Sequence, residues 1–217
     1  NERRGDHFAQ IAACHLGERR LKEVVQQYGD SKLREGFDAI ITRTKNRMHD
    51  AIQRIPDGQY VFEDLMDGDG VSMRDIPIRL TMNVKGSKVT FDFTNSADQV
   101  PGNINVTFNA TQASVCYSLK AVLDPEIPSN QGLIDAAEIR TRRGSLLDGA
   151  FPAPVAARAH TCQRIIDVCI GALSKALPND VVAAANGANT TAVFSGTDPR
   201  TGKPYLYLET LGGGMGA

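Results

Sequence analysis

His160 stands in Ala159-His160-Thr161-Cys162-Gln163-Arg164, at the head of an apolar run with helical spacing. Thr161 is a natural N-cap there, which would leave His160 on the loop entering the helix. A helix start presents free N–H groups and a partial positive charge, a setting suited to an anion or an oxyanion. The plainer reading is a histidine bonded to backbone. His160 and Cys162 could also be taken for a base and a thiol nucleophile. Side chains two apart on a helix point away from each other, and no third residue orients them, so that pair is set aside. Asn186 and Asn189 flank Gly187 in a loop before a β-rich run. Such amides commonly form Asx turns, and they can also orient a neutral polar substrate such as an amide or a cyclic imide. Asn103, Asn105 and Asn109 are weaker candidates of the same kind. The site read from residue types is therefore His160 as catalytic group with Asn186 and Asn189 as substrate contacts.

Other constellations carry less. His7 and His15, with Asp6 nearby, are eight residues apart, whereas helical metal pairs stand at i, i+4 with a third ligand elsewhere. A solvated or interfacial role is expected for them, and a surface position for His49. Asp67-Gly68-Asp69-Gly70 opens like a calcium loop, but Ser72, Met73 and Arg74 follow and no bidentate Glu arrives in register. A plain turn is expected. The glycine cluster 212–216 fits neither phosphate-binding glycine motif. Close passage of backbone is the expected reason for it.

The elements that must position these residues follow from periodicity. Apolar residues recur at helical spacing over 5–28 (Phe8, Ile11, Leu16, Leu21, Val24) and over 32–54 (Leu33, Phe37, Ile40, Ile41, Met48, Ile52). Gly29 is suited to end the first helix, so the two are expected to form a hairpin. From 59 the period changes to strand alternation over 59–65, 76–84 and 88–93, with a tight turn at Lys85-Gly86-Ser87. Helices are expected at 107–123 and 161–177, and short strands at 136–141 and 181–185. Two β-rich runs close the chain, Thr190–Ser195 and Pro204–Thr210. The fold class is α+β: an N-terminal helical hairpin, then an antiparallel sheet with packed helices. The period switch puts the boundary near 56, giving a hairpin at 1–56 and an α+β region at 57–217.

With 217 residues, 41% hydrophobic and 23% charged, the chain has an ordinary globular composition. A net charge of -1 gives no footprint for nucleic acid. No apolar run approaches a membrane span, and no signal peptide is visible. The four cysteines form no C-x-x-C; Cys14, Cys162 and Cys169 lie on or beside apolar helix faces. They read as buried free thiols of a cytoplasmic protein. The start at Asn1 and the stop inside a glycine cluster lead us to expect a piece of a larger protein.

Several stretches together carry a family resemblance: Gly5-Asp6-His7-Phe8-Ala9-Gln10, Gly17-Glu18-Arg19-Arg20-Leu21, Asp92-Phe93-Thr94, Pro101-Gly102-Asn103-Ile104-Asn105, Leu123-Asp124-Pro125-Glu126, Gln163-Arg164-Ile165-Ile166-Asp167 and Glu209-Thr210-Leu211-Gly212-Gly213. Taken over essentially the whole chain, the sequence resembles the hydantoinase B/oxoprolinase family. The stretches 160–168 and 186–194 lean toward its N-methylhydantoinase branch. The resemblance implies an ATP-dependent hydrolase of cyclic amides such as hydantoins or lactams. In that family ATP is thought to be bound by an actin-like A-type subunit or fused domain, which phosphorylates the amide oxygen. The implied assembly is a hetero-oligomer, and the piece is not expected to act alone. The His/Asp segment proposed to hold a metal in relatives lies upstream of the matched region. The resemblance therefore implies a divalent metal only there, and no metal ligand in this chain. Related members carboxylate acetone or acetophenone, so the alpha subunit of such a carboxylase is the alternative. A scaffold segment without catalytic residues, docking the A-type subunit through the hairpin, is the other.

Overall fold

A computed structural model describes residues 2–184, 186, 187 and 190–212. Its elements in chain order are α1 (Glu2–Tyr28), α2 (Asp30–Ile52), β1 (Gly58–Met66), β2 (Ile76–Lys85), β3 (Lys88–Asp92), α3 (Phe108–Leu123), α4 (Gln131–Ile134), β4 (Ala137–Arg140), α5 (Arg158–Ala176), β5 (Thr191–Thr197) and β6 (Pro204–Thr210). The α+β class with a pair of N-terminal helices ahead of a sheet is what the periodicity indicated.

The sheet is organised by β2, where Ile76, Ile78, Leu80, Met82 and Val84 alternate into the core. β1 pairs antiparallel with β2 from Gly58↔Val84 to Met66↔Ile76, and β2 pairs antiparallel with β3. Gly86 takes a φ of 58° in the turn between β2 and β3, the left-handed conformation a tight hairpin demands. β4 then joins β3 in parallel. That departs from a purely antiparallel sheet. A parallel pair needs a crossover, and α3 and α4 lie within it.

The core collects Met48, Ile52 and Ile55 from α2 and its end, Val115 and Leu119 from α3, and Ile165, Val168, Cys169 and Leu173 from α5. α4, absent from the sequence expectation, presses on α2 so closely that a Cβ on Gly132 would stand 2.1 Å from the Ile41 carbonyl oxygen. Gly29, at φ 83°, ends α1 as expected, its N–H donating to the Val25 carbonyl at 2.8 Å.

Three expectations change. The apolar residues of α1 (Phe8, Ile11, Leu16, Leu21) are exposed, so its stripe meets no core among the described residues. Cys14 is exposed with them. The short strand expected at 181–185 does not form over Val181–Ala184; residues 182–184 are exposed and have no ladder partner among the described residues. The two closing β-rich runs do form strands, and among the described residues β5 and β6 pair only with each other, as a ribbon exposing Phe194, Leu206 and Leu208. Among the described residues, no helix is long and apolar enough to cross a membrane.

Candidate functional site

α5 and β1 pack face to face, and the site grows from that contact. Tyr60, Phe62, Asp64 and Met66 alternate onto the half-buried face of β1. α5 answers them in reverse order along the strand. Thr161 approaches Met66, with its hydroxyl 3.3 Å from the sulfur. Arg164 meets Asp64. Gly171 lies against Phe62, whose ring carbons would stand about 2.5 Å from any added Cβ. An ion pair is thus built into the middle of an otherwise apolar helix–strand contact.

Thr161 is not the N-cap. It is fully buried and donates its hydroxyl to the Ile104 carbonyl at 2.5 Å. With that hydroxyl committed to another loop, α5 starts earlier, at Arg158 with Ala157 as its cap. His160 therefore sits inside the first helical turn rather than on a loop. Its N–H donates to the Ala157 carbonyl at 3.2 Å. His160 borders a groove of about 630 Å³ whose other walls are Asp64–Met66, the turn 67–70, Asn103, Ile104, Ala157, Arg164, Asn186 and Gly187.

The floor of this groove is fixed by two polar side chains. Asp69 is buried, and its carboxylate accepts N–H bonds from Ser72 at 2.7 Å, Val71 at 2.9 Å and Gly102 at 3.0 Å. Those backbone donors, Ser72 first, pull its pKa down to about 2. The bonds from Val71 and Ser72 close the 67–72 segment into a turn on the Asp69 carboxylate. Gly102 is obligatory, since a Cβ there would lie 1.8 Å from the Asp69 carbonyl oxygen. Asn105, fully buried, accepts from the Val100 N–H at 2.8 Å. It donates to the carbonyls of Val100, Gly102 and Pro154 at 2.8, 3.0 and 3.0 Å. Asn105 is thus a brace for the 100–105 loop.

The back wall is Arg164. Its guanidinium donates to Asp64 Oδ2 at 2.6 Å and to the Gly187 carbonyl at 3.1 Å. Asp167 Oδ2 lies 3.5 Å away. Burial pushes the Asp167 carboxyl above the usual carboxylate range, with Arg164 opposing that shift.

The structure therefore brings His160, Asn186 and Asn103 to one groove, while Asn189 lies outside the described residues. It leaves His7 and His15 exposed on α1, His49 half-buried on α2, and Asn109 at a separate cavity between α3 and α4. Among the described residues, no three His, Cys, Asp or Glu side chains gather in a way that could hold a metal. Cys162 packs against the core, away from any nucleophile role with His160. Sequence reasoning missed Asp64, Asp69 and Arg164. The one available signal was spacing: Arg164 is four residues after His160 and shares its helix face.

Comparison with known proteins adds the following. A sequence profile described as Hydantoinase B/oxoprolinase matches residues 1–217. The B component of a putative D-/L-hydantoinase from Pseudomonas sp. (strain NS671) is 29% identical over 98% of this chain and 37% of its own length. The crystal structure of ATP-dependent caprolactamase from Pseudomonas jessenii shares the fold with a TM-score of 0.82 at 24% identity. That match covers 94% of this chain and 35% of the caprolactamase chain. The nucleotide-free structure of acetone carboxylase shares it with a TM-score of 0.78 at 15% identity, over 94% of this chain and 29% of that one. The chain thus spans little more than a third of the length of the hydantoinase relative.

Proposed function

The chain belongs to the hydantoinase B/oxoprolinase family, and on that premise we propose that it is part of the B component of an ATP-dependent hydrolase that opens cyclic amides, hydantoins or lactams. The single observation that carries this reading is the family match over all 217 residues. The groove supports it: its volume lies in the range of small-molecule sites, and it offers amide and imidazole groups to a neutral polar ring.

The chemistry follows from the substrate. A resonance-stabilised amide is a poor electrophile. Phosphorylation of its oxygen converts that oxygen into a leaving group and opens the carbon to water. ATP is bound by an A-type partner subunit, so the working enzyme is a hetero-oligomer. We assign His160 to exchange a proton with the attacking water or the ring nitrogen. Asn186 and Asn189 hydrogen-bond the ring's C=O and N–H. Residues 1–56 form a helical unit and 57–217 the α+β region. The buried free thiols Cys116 and Cys169 suit a reducing cytoplasm.

A second reading, the alpha subunit of an ATP-dependent acetone- or acetophenone-type carboxylase, is favoured by the fold shared with acetone carboxylase. The test is to combine the full-length subunit with its A-type partner and ATP, and to offer hydantoin, a lactam, or acetone with bicarbonate. Ring-opened amino acid or carbamoyl product is the expected outcome. A carboxylated ketone instead would favour the second reading. No turnover of either class would leave only the scaffold role.

A further inference from the structure

We infer that Arg164 is a positioning residue that holds the Asn186–Gly187 segment against α5 and so fixes where Asn186 stands in the groove. This rests on the reading of Asn186 as a substrate contact. Three parts of the chain meet at the guanidinium: β1 through Asp64 at 2.6 Å, the 186–187 segment through the Gly187 carbonyl at 3.1 Å, and α5 itself through Asp167 at 3.5 Å. The side chain is only 21% exposed. A planar guanidinium donates in two directions at once from a fixed frame, which a lysine ammonium does not reproduce.

Gly187 is matched to that arginine. Its φ of 70° lies in the left-handed region. A Cβ there would stand 1.8 Å from Arg164 Nη2. A side chain there would push the guanidinium from its present place beside the carbonyl. Residues 182–184, just before, form no helix or strand and are exposed. Among the described residues the segment has no ladder, and its hydrogen bond with α5 is the one to the arginine. With Asp64 and Gly187 accepting from it, Arg164 acts on substrate through the placement of Asn186. His160, one turn earlier on the same face of α5, shares the groove with the segment so held.

The test uses the full-length subunit with its A-type partner and the variants R164K, G187A, N186A and R164K/N186A. The first readout is independent of activity: cleavage within residues 182–187 by limited elastase digestion of the folded complex. The initial cleavage rate should rise at least about tenfold in both R164K and G187A, as expected when a segment's anchoring contact is lost. G187A keeps the arginine, so it answers even where R164K folds poorly. An unchanged cleavage rate in both variants would overturn the inference. The second readout is kinetic. R164K should raise KM for the cyclic amide about tenfold and leave kcat within about twofold, the pattern of lost ground-state binding. In the N186A background R164K should add nothing, because the two residues act through one contact. Fully multiplicative losses would overturn it. If the wild-type complex opens no cyclic amide, the proposed function fails while the cleavage readout still decides the role of Arg164.

Discussion

Asp69 shows how a residue that looks ordinary in sequence governs the groove. Its folded pKa of about 2 lies below the ordinary 3.8. The carboxylate thus contributes stability that is fully present above the unfolded value and lost as pH falls through the folded one. In D69N an amide replaces an oxygen facing the Gly102 N–H, setting donor against donor. The melting-temperature gap between wild type and D69N should be widest above pH 4 and shrink between about pH 4 and pH 2. A gap that is flat across this window would show that the carboxylate's charge is not what holds the turn. The thiols give a second residue-scale prediction. Burial pushes Cys116 up to about 11 and raises Cys169 further, whereas Cys14 is exposed. A chromogenic disulfide reagent at neutral pH should label Cys14 rapidly and these two only on unfolding. Fast reaction of Cys116 or Cys169 would contradict their burial. His160 was visible in the sequence because imidazole is scarce and chemically distinctive. The partners of Asp69 and Thr161 were not visible, since Gly102 and Ile104 lie 33 and 57 residues away.

At the scale of elements, helices were readable because a 3.6-residue apolar period announces itself locally. Their ends were less so. The start of α5 moved because Thr161 bonds a distant loop instead of its own N-terminus. The parallel placement of β4 could not be read from its four residues, because partner choice depends on the crossover and not on the strand. Val181–Ala184 has apolar strand-like composition yet no ladder partner. Composition alone does not make a strand. Glycines give a paired prediction on two helices. G171A on α5 drives a Cβ into the Phe62 ring and should cost about 1–3 kcal/mol in chemical denaturation, the range for overpacking. G36A on α2 meets nothing within 4 Å and should stabilise by about 0.4–1 kcal/mol through the unfolded chain and helix propensity. The reverse order of effects would contradict the packing of α5 on β1.

At the scale of the whole molecule, apolar residues of α1 (Phe8, Ile11, Leu16 and Leu21) and of the β5–β6 ribbon (Phe194, Leu206 and Leu208) stand uncovered among the described residues. Patches of this kind associate. The isolated 217-residue chain should therefore self-associate in sedimentation, and L16E combined with L206E should reduce that. A monomer at all concentrations would mean these faces are not sticky as they stand. The family was recognisable from short stretches scattered along the chain, even though no single one of them specifies chemistry. The groove itself was only half readable, since it is assembled from four separated segments. The most direct measurement is single-turnover product analysis on the full-length subunit with its A-type partner, ATP and a hydantoin or lactam. Ring-opened product formed in step with ADP, and slowed at least about a hundredfold by H160A, is the expected result for a general acid–base residue. No ring opening with or without ATP, or an H160A complex as fast as wild type, would contradict it.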